Sequence, residues 1–168
     1  MNKKYLLVFF ILIFSSIVIG CKKDDRLPEQ ITEDFNFSLQ YGINGINEIN
    51  TYEKTITKDL IVNGTKSIKF QIPKKDLGDI YSKLVELDIA RISEKLVSDK
   101  LFITPLIEYN LTFTINKKKY TVSGDATMYS LNGNEQVEDF SAFVKYIIEY
   151  VEATKEYKSL PEPKGGYD

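Results

Sequence analysis

Phe35, Phe37, Leu39 and Tyr41 alternate with Asn36, Ser38 and Gln40, a period of two that predicts a half-buried strand. The Gly/Asn run 42–47 that follows has the composition that tolerates positive φ and reads as a hairpin loop. A second strand is expected over about Ile49 to Lys58, continuing after a bend into Leu60-Ile61-Val62. Asn63-Gly64 then signals a turn. Ile68, Phe70 and Ile72 alternate with Lys69 and Gln71 and predict a third strand that stops at Pro73. The period then changes. Leu77, Ile80, Tyr81, Leu84 and Leu87 recur at spacings of three and four, the stripe of an amphipathic helix. Gly78 weakens that helix by about 1 kcal/mol relative to alanine. Residues 90–104 carry no clear period. After Pro105, Ile107, Tyr109, Leu111, Phe113 and Ile115 share one face of a strand; Asn116 to Lys118 turns the chain, and Tyr120 and Val122 lie on the return strand. A polar loop over 124–134 offers Asn132 or Asn134 as a helix N-cap. The last helix runs from about Glu135 to Lys155, with Val137, Phe140, Val144, Ile147, Ile148 and Val151 on its apolar side.

The order β-β-β-α-β-β-α predicts a single α+β domain over residues 34–156, with one antiparallel sheet of about five strands and two helices packed on one face. Alternation in the strands requires one buried and one wet sheet face. Residues 157–168 contain Pro161 and Pro163, which cannot continue a helix, and read as a frayed tail in which Tyr167, after two glycines, is a small candidate docking anchor.

The amino-terminal residues have a different design. Lys3 and Lys4 precede an apolar run, Tyr5 to Ile19, broken only by Ser15 and Ser16. The run is shorter than the roughly 20 apolar residues that span a bilayer. A positive start, a short apolar stretch and a small residue before the cut are the layout of a secretory signal peptide. Val18-Ile19-Gly20-Cys21 resembles the lipobox of bacterial lipoproteins. That resemblance implies cleavage before Cys21, removal of residues 1–20 and a covalent lipid on the Cys21 sulfur. A single acyl chain anchors only marginally, so durable attachment takes more than one. Lys22-Lys23-Asp24-Asp25 resembles the export signal of surface-exposed lipoproteins of the Bacteroidota. Residues 21–33 are then a lipidated cysteine and flexible tether, and the expected address is the cell envelope, on an outer membrane facing either the surface or the periplasm, with the outer face of a Gram-positive plasma membrane as the alternative.

Composition narrows the chemistry. The 168 residues include one cysteine and no histidine. With Cys21 used by the anchor, no thiol remains for a disulfide, a metal or a nucleophile. Without histidine, Ser-His-Asp and Cys-His sites, most zinc sites and the usual general base near pH 7 are excluded. A formal charge of −2 lacks the basic balance of a nucleic-acid binder. Eleven tyrosines and ten phenylalanines supply aromatic surface instead.

Four constellations can carry function. The loop at Ile43, Asn44, Gly45 and Ile46 is a candidate partner-binding tip, its isoleucines either exposed anchors or folded onto the core. The segment around Asn134, Glu135, Glu138 and Asp139 offers oxygen ligands, but its spacing departs from the calcium-loop pattern and fits helix capping better. Asp59, Glu108 and Asp125 are among the acids that a carboxylate-dependent hydrolase of envelope glycan would draw on. Gly64-Thr65-Lys66-Ser67 lacks the upstream glycine and following helix of a phosphate loop. No metal or catalytic residue is assigned, and no cofactor beyond the lipid on Cys21.

The order of elements over roughly residues 35–151 resembles small bacterial lipoproteins of undefined role. It is also similar in pattern to emfourin-type inhibitors of metalloproteases, which place a Gly-rich hairpin before a helix. The second resemblance implies a protease inhibitor and carries over no inhibitory residue. The expected role is a non-catalytic binding module held at a membrane by its lipid, with a protein or envelope ligand as partner. Replacing Cys21 by serine should abolish incorporation of labelled fatty acid into the protein; persistent labelling of the Cys21→Ser variant refutes the anchor.

Overall fold

The computed structural model describes residues 27–98, 104–131 and 133–167. The leader, Cys21, the Lys22–Asp25 run and Asn132 lie outside the described residues. Seven strands form one sheet: β1 (Asn36–Ile43), β2 (Asn47–Asn50), β3 (Thr55–Asp59), β4 (Thr65–Lys69), β5 (Lys95–Leu96), β6 (Ile107–Ile115) and β7 (Lys118–Asp125). Helix α1 (Lys74–Glu86) follows β4, and α2 (Glu135–Ala153) and the short α3 (Lys155–Lys158) follow β7. The spatial order is β4-β3-β2-β1-β6-β7-β5.

The α+β class stands, but the sheet is larger than the alternation predicts, and mixed. β5 pairs with β7 in parallel through Lys95 and Leu96; the other ladders are antiparallel. Two residues are too few to show a period, and Leu96, 3% exposed, is held by burial. The expected strand over Ile49 to Lys58 is two strands. Thr51 breaks it: its hydroxyl accepts from the Phe37 N–H at 2.7 Å and has its one proton to give to the Phe37 carbonyl at 3.0 Å or Asn36 Oδ1 at 3.1 Å. Asn50 Oδ1 accepts the Glu53 N–H at 3.0 Å, and Lys54 turns the chain in the left-handed region at φ 53°. Asn134 is the N-cap of α2, its side chain accepting the Gln136 N–H at 3.0 Å.

Strand residues of one parity form the core. Phe37, Leu39, Ile49, Ile56, Leu111, Phe113 and Val122 pack against Ile80, Tyr81 and Leu84 of α1 and Phe140, Phe143 and Ile147 of α2. Both long helices therefore cover the same face. Tyr150 of α2 donates to Asp76 in the first turn of α1 at 2.7 Å and ties the two together. The opposite parity carries Ser38, Gln40, Glu48, Asn50, Asn110 and Thr112, and no described element covers it. Its side chains bond one another: Ser38 Oγ and Asn50 Nδ2 both donate to Glu48 Oε1, and the Thr57 and Ser67 hydroxyls lie 2.7 Å apart. The sheet ends in β4 on one side; on the other, β5 covers β7 only at Ser123 and Gly124.

The registers place the strand ends at two poles. At one lie the β2–β3 turn (51–54), the β6–β7 turn at Asn116-Lys117, and Asp34, where the chain joins β1. Asp34 accepts the main-chain N–H groups of Asn116 and Lys117 at 3.0 and 2.5 Å, and the Lys117 bond chiefly holds its carboxyl below the usual carboxylate range. The expected tether over 21–33 is already packed by Leu27: Leu27 and Ile31 lie against the core, and the Tyr81 hydroxyl donates to the Pro28 carbonyl at 2.7 Å. At the other pole lie the β1–β2 turn, the β3–β4 turn and the 3-10 turn Ala126–Ser130.

Two glycines have opposite reasons to exist. A Cβ on Gly78, inside α1, would meet nothing within 4 Å, whereas one on Gly124 would stand 2.7 Å from Met128 Sδ, 3.2 Å from the Leu96 carbonyl oxygen and 3.3 Å from Phe140. Gly124→Ala should destabilise the fold by about 1–3 kcal/mol through overpacking, and Gly78→Ala should stabilise it by about 1 kcal/mol. Denaturant midpoints at constant slope measure both.

Candidate functional site

The pole opposite Asp34 holds most of the large hydrophobic side chains that the described residues leave exposed. Among the described residues, five large hydrophobics are exposed: Val62 (74%), Tyr129 (53%), Tyr52 (42%), Ile107 (37%) and Tyr167 (36%). All but Tyr52 belong to this rim. Their positions follow from local chemistry. Asn44 and Gly45 take φ of 51° and 62°, closing the β1–β2 turn, and Gly45 and Ile46 donate main-chain N–H groups to Gly42 and Ile43. The Asn44 N–H reaches the Leu106 carbonyl at 2.9 Å, so the β1–β6 ladder runs on past Ile43, whose partner is Ile107. Asp125 caps the 3-10 turn Ala126–Ser130, accepting from the Thr127 N–H and hydroxyl, and that turn presents Tyr129.

The loop singled out from sequence is at this rim but is not built as an isoleucine hook. Asn44 is its exposed tip; Ile43, Gly45 and Ile46 are half-buried. Gly45 lies on the open sheet face, where a Cβ would stand 3.5 Å from Glu108 Oε2 and 3.6 Å from Asn110 Nδ2. The exposed apolar contribution comes instead from Ile107, beside Ile43 across the ladder, and from Tyr129. Tyr129 lies in a segment with no period, where nothing in the pattern separates an exposed tyrosine from a buried one.

The carboxyl-terminal segment corrects the expectation of a frayed end. Leu160 is buried, and the Lys164 N–H and carbonyl bond the Leu60 carbonyl and the Val62 N–H, each at 3.3 Å. Gly165, at φ 90°, lies so close to Val62 that a Cβ there would stand 2.7 Å from its Cγ2. The Tyr167 hydroxyl donates to the Asp59 carboxylate. That bond is the main cause raising the Tyr167 phenol above its ordinary value. Asp59 also accepts the Ile61 N–H at 2.8 Å. On the helix side of the same strand, buried Lys58 places its ammonium 3.3 Å from Glu162 and 4.9 Å from the centre of the Tyr157 ring. Both buried charged residues of β3 are thus occupied by the tail.

The phenols near the rim are held neutral. Burial first, and then neighbouring Tyr129, pushes Tyr109 up to about 12. Burial and then the Glu152 charge push Tyr157 up to about 12. Tyr41 is raised further by burial beside Tyr157. These phenols therefore stay protonated at neutral pH, and Tyr41 among them is buried. Glu108 and Asp125 stand opposite each other on β6 and β7. Of the three acids named for carboxylate chemistry, Asp125 is engaged by Thr127 and Asp59 by the tail. Among the described residues, no three potential ligands from His, Cys, Asp and Glu come together to hold a metal. A groove of about 520 Å³ opens beside β7, lined by Ala90, Ile92, Glu94, Lys118, Tyr120 and Val122 among others.

Compared with known proteins, the chain matches no family model and no curated sequence.

Removing residues 161–168 strips the partners from Asp59 and Lys58 and should lower stability by ~2 kcal/mol, read as a fall of several degrees in Tm. Lys58→Met, which trades the buried ammonium for an apolar chain of similar length, should change stability by less than about 1 kcal/mol. A large loss for Lys58→Met would mean that the ion pair itself sustains the fold.

Proposed function

We propose that this chain is a lipid-anchored protein of the bacterial cell envelope, held on an outer membrane through Cys21, and that it acts there as a non-catalytic binding module. The partner surface is the rim formed by Ile107, Tyr129, Val62 and Tyr167 around the Asn44 turn. One observation carries the reading: the exposed apolar and phenolic side chains gather at the pole opposite the one where the chain joins the domain. A protein anchored by its amino terminus presents the far pole to whatever approaches. Aromatic residues that combine large contact area with a hydrogen-bonding tip are the common anchors of protein interfaces. Further support comes from the charged residues of β3, which are spent on the tail rather than left free for catalysis.

The test is site-specific cross-linking in intact cells. A photoreactive residue at Tyr129 should give a discrete adduct, and the same residue at Tyr52, exposed at the other pole, should not. Equal capture at both positions, or none at either, counts against the rim. Replacing Ile107 and Tyr129 together by serine should remove the adduct formed from a probe at Asn44 while leaving the melting temperature within a few degrees of the parent.

A further inference from the structure

The pole that receives the chain carries a run of three lysines at one hairpin tip. Lys117, Lys118 and Lys119 follow one another at the β6–β7 tip and all are exposed. Asn116 and Lys117 take φ of 50° and 64°, a two-residue turn whose second position favours glycine. A lysine sits there instead, in a backbone conformation that glycine would adopt without strain, and it puts a charge at the outermost point of the hairpin. Lys118 is set on a rigid platform: its ammonium lies 4.4 Å from the centre of the Tyr120 ring, which stacks on buried Phe113 at 5.0 Å with an interplanar angle of 6°. Lys54 and Lys69 stand at the same pole on the β2–β3 turn and the end of β4. Of the acids there, Asp34 is already occupied by main-chain N–H groups, while Glu33, beside it, and Glu53, on the β2–β3 turn, are exposed, and Glu94 lines the groove beside Lys118 and Lys119; none of these three adjoins the Lys117–Lys119 run in sequence. Glu48, Glu108 and Asp125 lie on the open face towards the far pole.

We infer that the Lys117–Lys119 tip docks on the anionic, phosphate-bearing headgroups of the membrane that carries the lipid of Cys21. The inference rests on the anchor reading above and adds an orientation to it. The geometry is restrictive. The chain is fixed to the hairpin by Asp34, and Leu27 and Pro28 are fixed beside Tyr81. From Cys21 to Leu27 there are six residue steps, so the anchor reaches at most roughly 20 Å from the folded chain even when extended. The lysines are therefore held close to any surface that holds Cys21. A basic group near an anionic leaflet strengthens attachment about fivefold, so three lysines together give roughly a hundredfold. The acids of the far pole are repelled by the same surface, which keeps the Tyr129 rim pointed away from it.

Lipidated protein purified from membranes is reconstituted into vesicles of phosphatidylcholine alone or phosphatidylcholine with phosphatidylglycerol. Acetylation of individual lysines is then followed by mass spectrometry. Lys117, Lys118 and Lys119 should react at least about tenfold more slowly in the anionic vesicles, and the difference should vanish in molar salt, where screening shortens to about 3 Å. Lys164, at the far pole, should react equally in all cases. Equal reactivity of the three lysines in both vesicles, with the protein still sedimenting with each, overturns the docking and leaves the anchor intact. Failure to sediment with the neutral vesicles overturns the anchor and the docking together. Protection in whole envelopes but not in anionic vesicles overturns the lipid contact in favour of a macromolecular partner at the tip.

Discussion

The register between β1 and β6 is the constraint on which the fold depends. Eight residue pairs, from Asn36 with Thr114 to Ile43 with Ile107, align the two central strands. A slip of one residue would exchange Phe37, Leu39, Leu111 and Phe113 for Ser38, Gln40, Asn110 and Thr112 on the face that meets the helices. Both ends of the ladder are pinned outside the strands themselves, by Asp34 on the Asn116-Lys117 turn and by the Asn44 N–H on the Leu106 carbonyl. The two poles are consequences of this pinning. One end fixes where the chain arrives, and the other fixes the turn around which the exposed rim is built.

The uncovered face follows from the same parity. Most of its residues are hydroxyls, amides and acids, with Lys69 and Lys119 towards one end, and several bond one another: Glu48 receives two donors and the Thr57 and Ser67 hydroxyls pair. A face so composed gains nothing from burial without a polar partner, because each group removed from water must find a new hydrogen bond. The exposed apolar and phenolic area lies instead at the rim, away from the broad flat side of the molecule.

Elements with long, regular periods were legible in the sequence. β1, the β6–β7 hairpin, α1 and α2 each carry several turns or alternations of one pattern, and the Asn134 cap is a local signal that the structure confirms. What escaped was decided by single side chains or by tertiary contact. Thr51 divides one apparent strand into two by bonding across to β1. β5 exists because Leu96 is buried beside β7, and the tail is ordered by Leu160, Lys164 and Tyr167 reaching residues about 100 positions earlier. The rim was half legible. Its turn announced itself through glycine and asparagine, whereas Ile107 and Tyr129 looked like ordinary members of a strand face and a polar loop, and only the three-dimensional arrangement leaves them outside.

The sheet that stops at β4 and is only partly covered at β7 has a consequence for copies of the molecule meeting one another. Each margin displays main-chain groups that a neighbouring strand could pair with, and each carries positive side chains: Lys66 and Lys69 on β4, Lys118 and Lys119 on β7. An end-on encounter of two molecules through either margin brings ammonium groups against ammonium groups. Charged margins of this kind are how sheet proteins avoid growing into ribbons, and here they oppose edge-to-edge pairing of two copies.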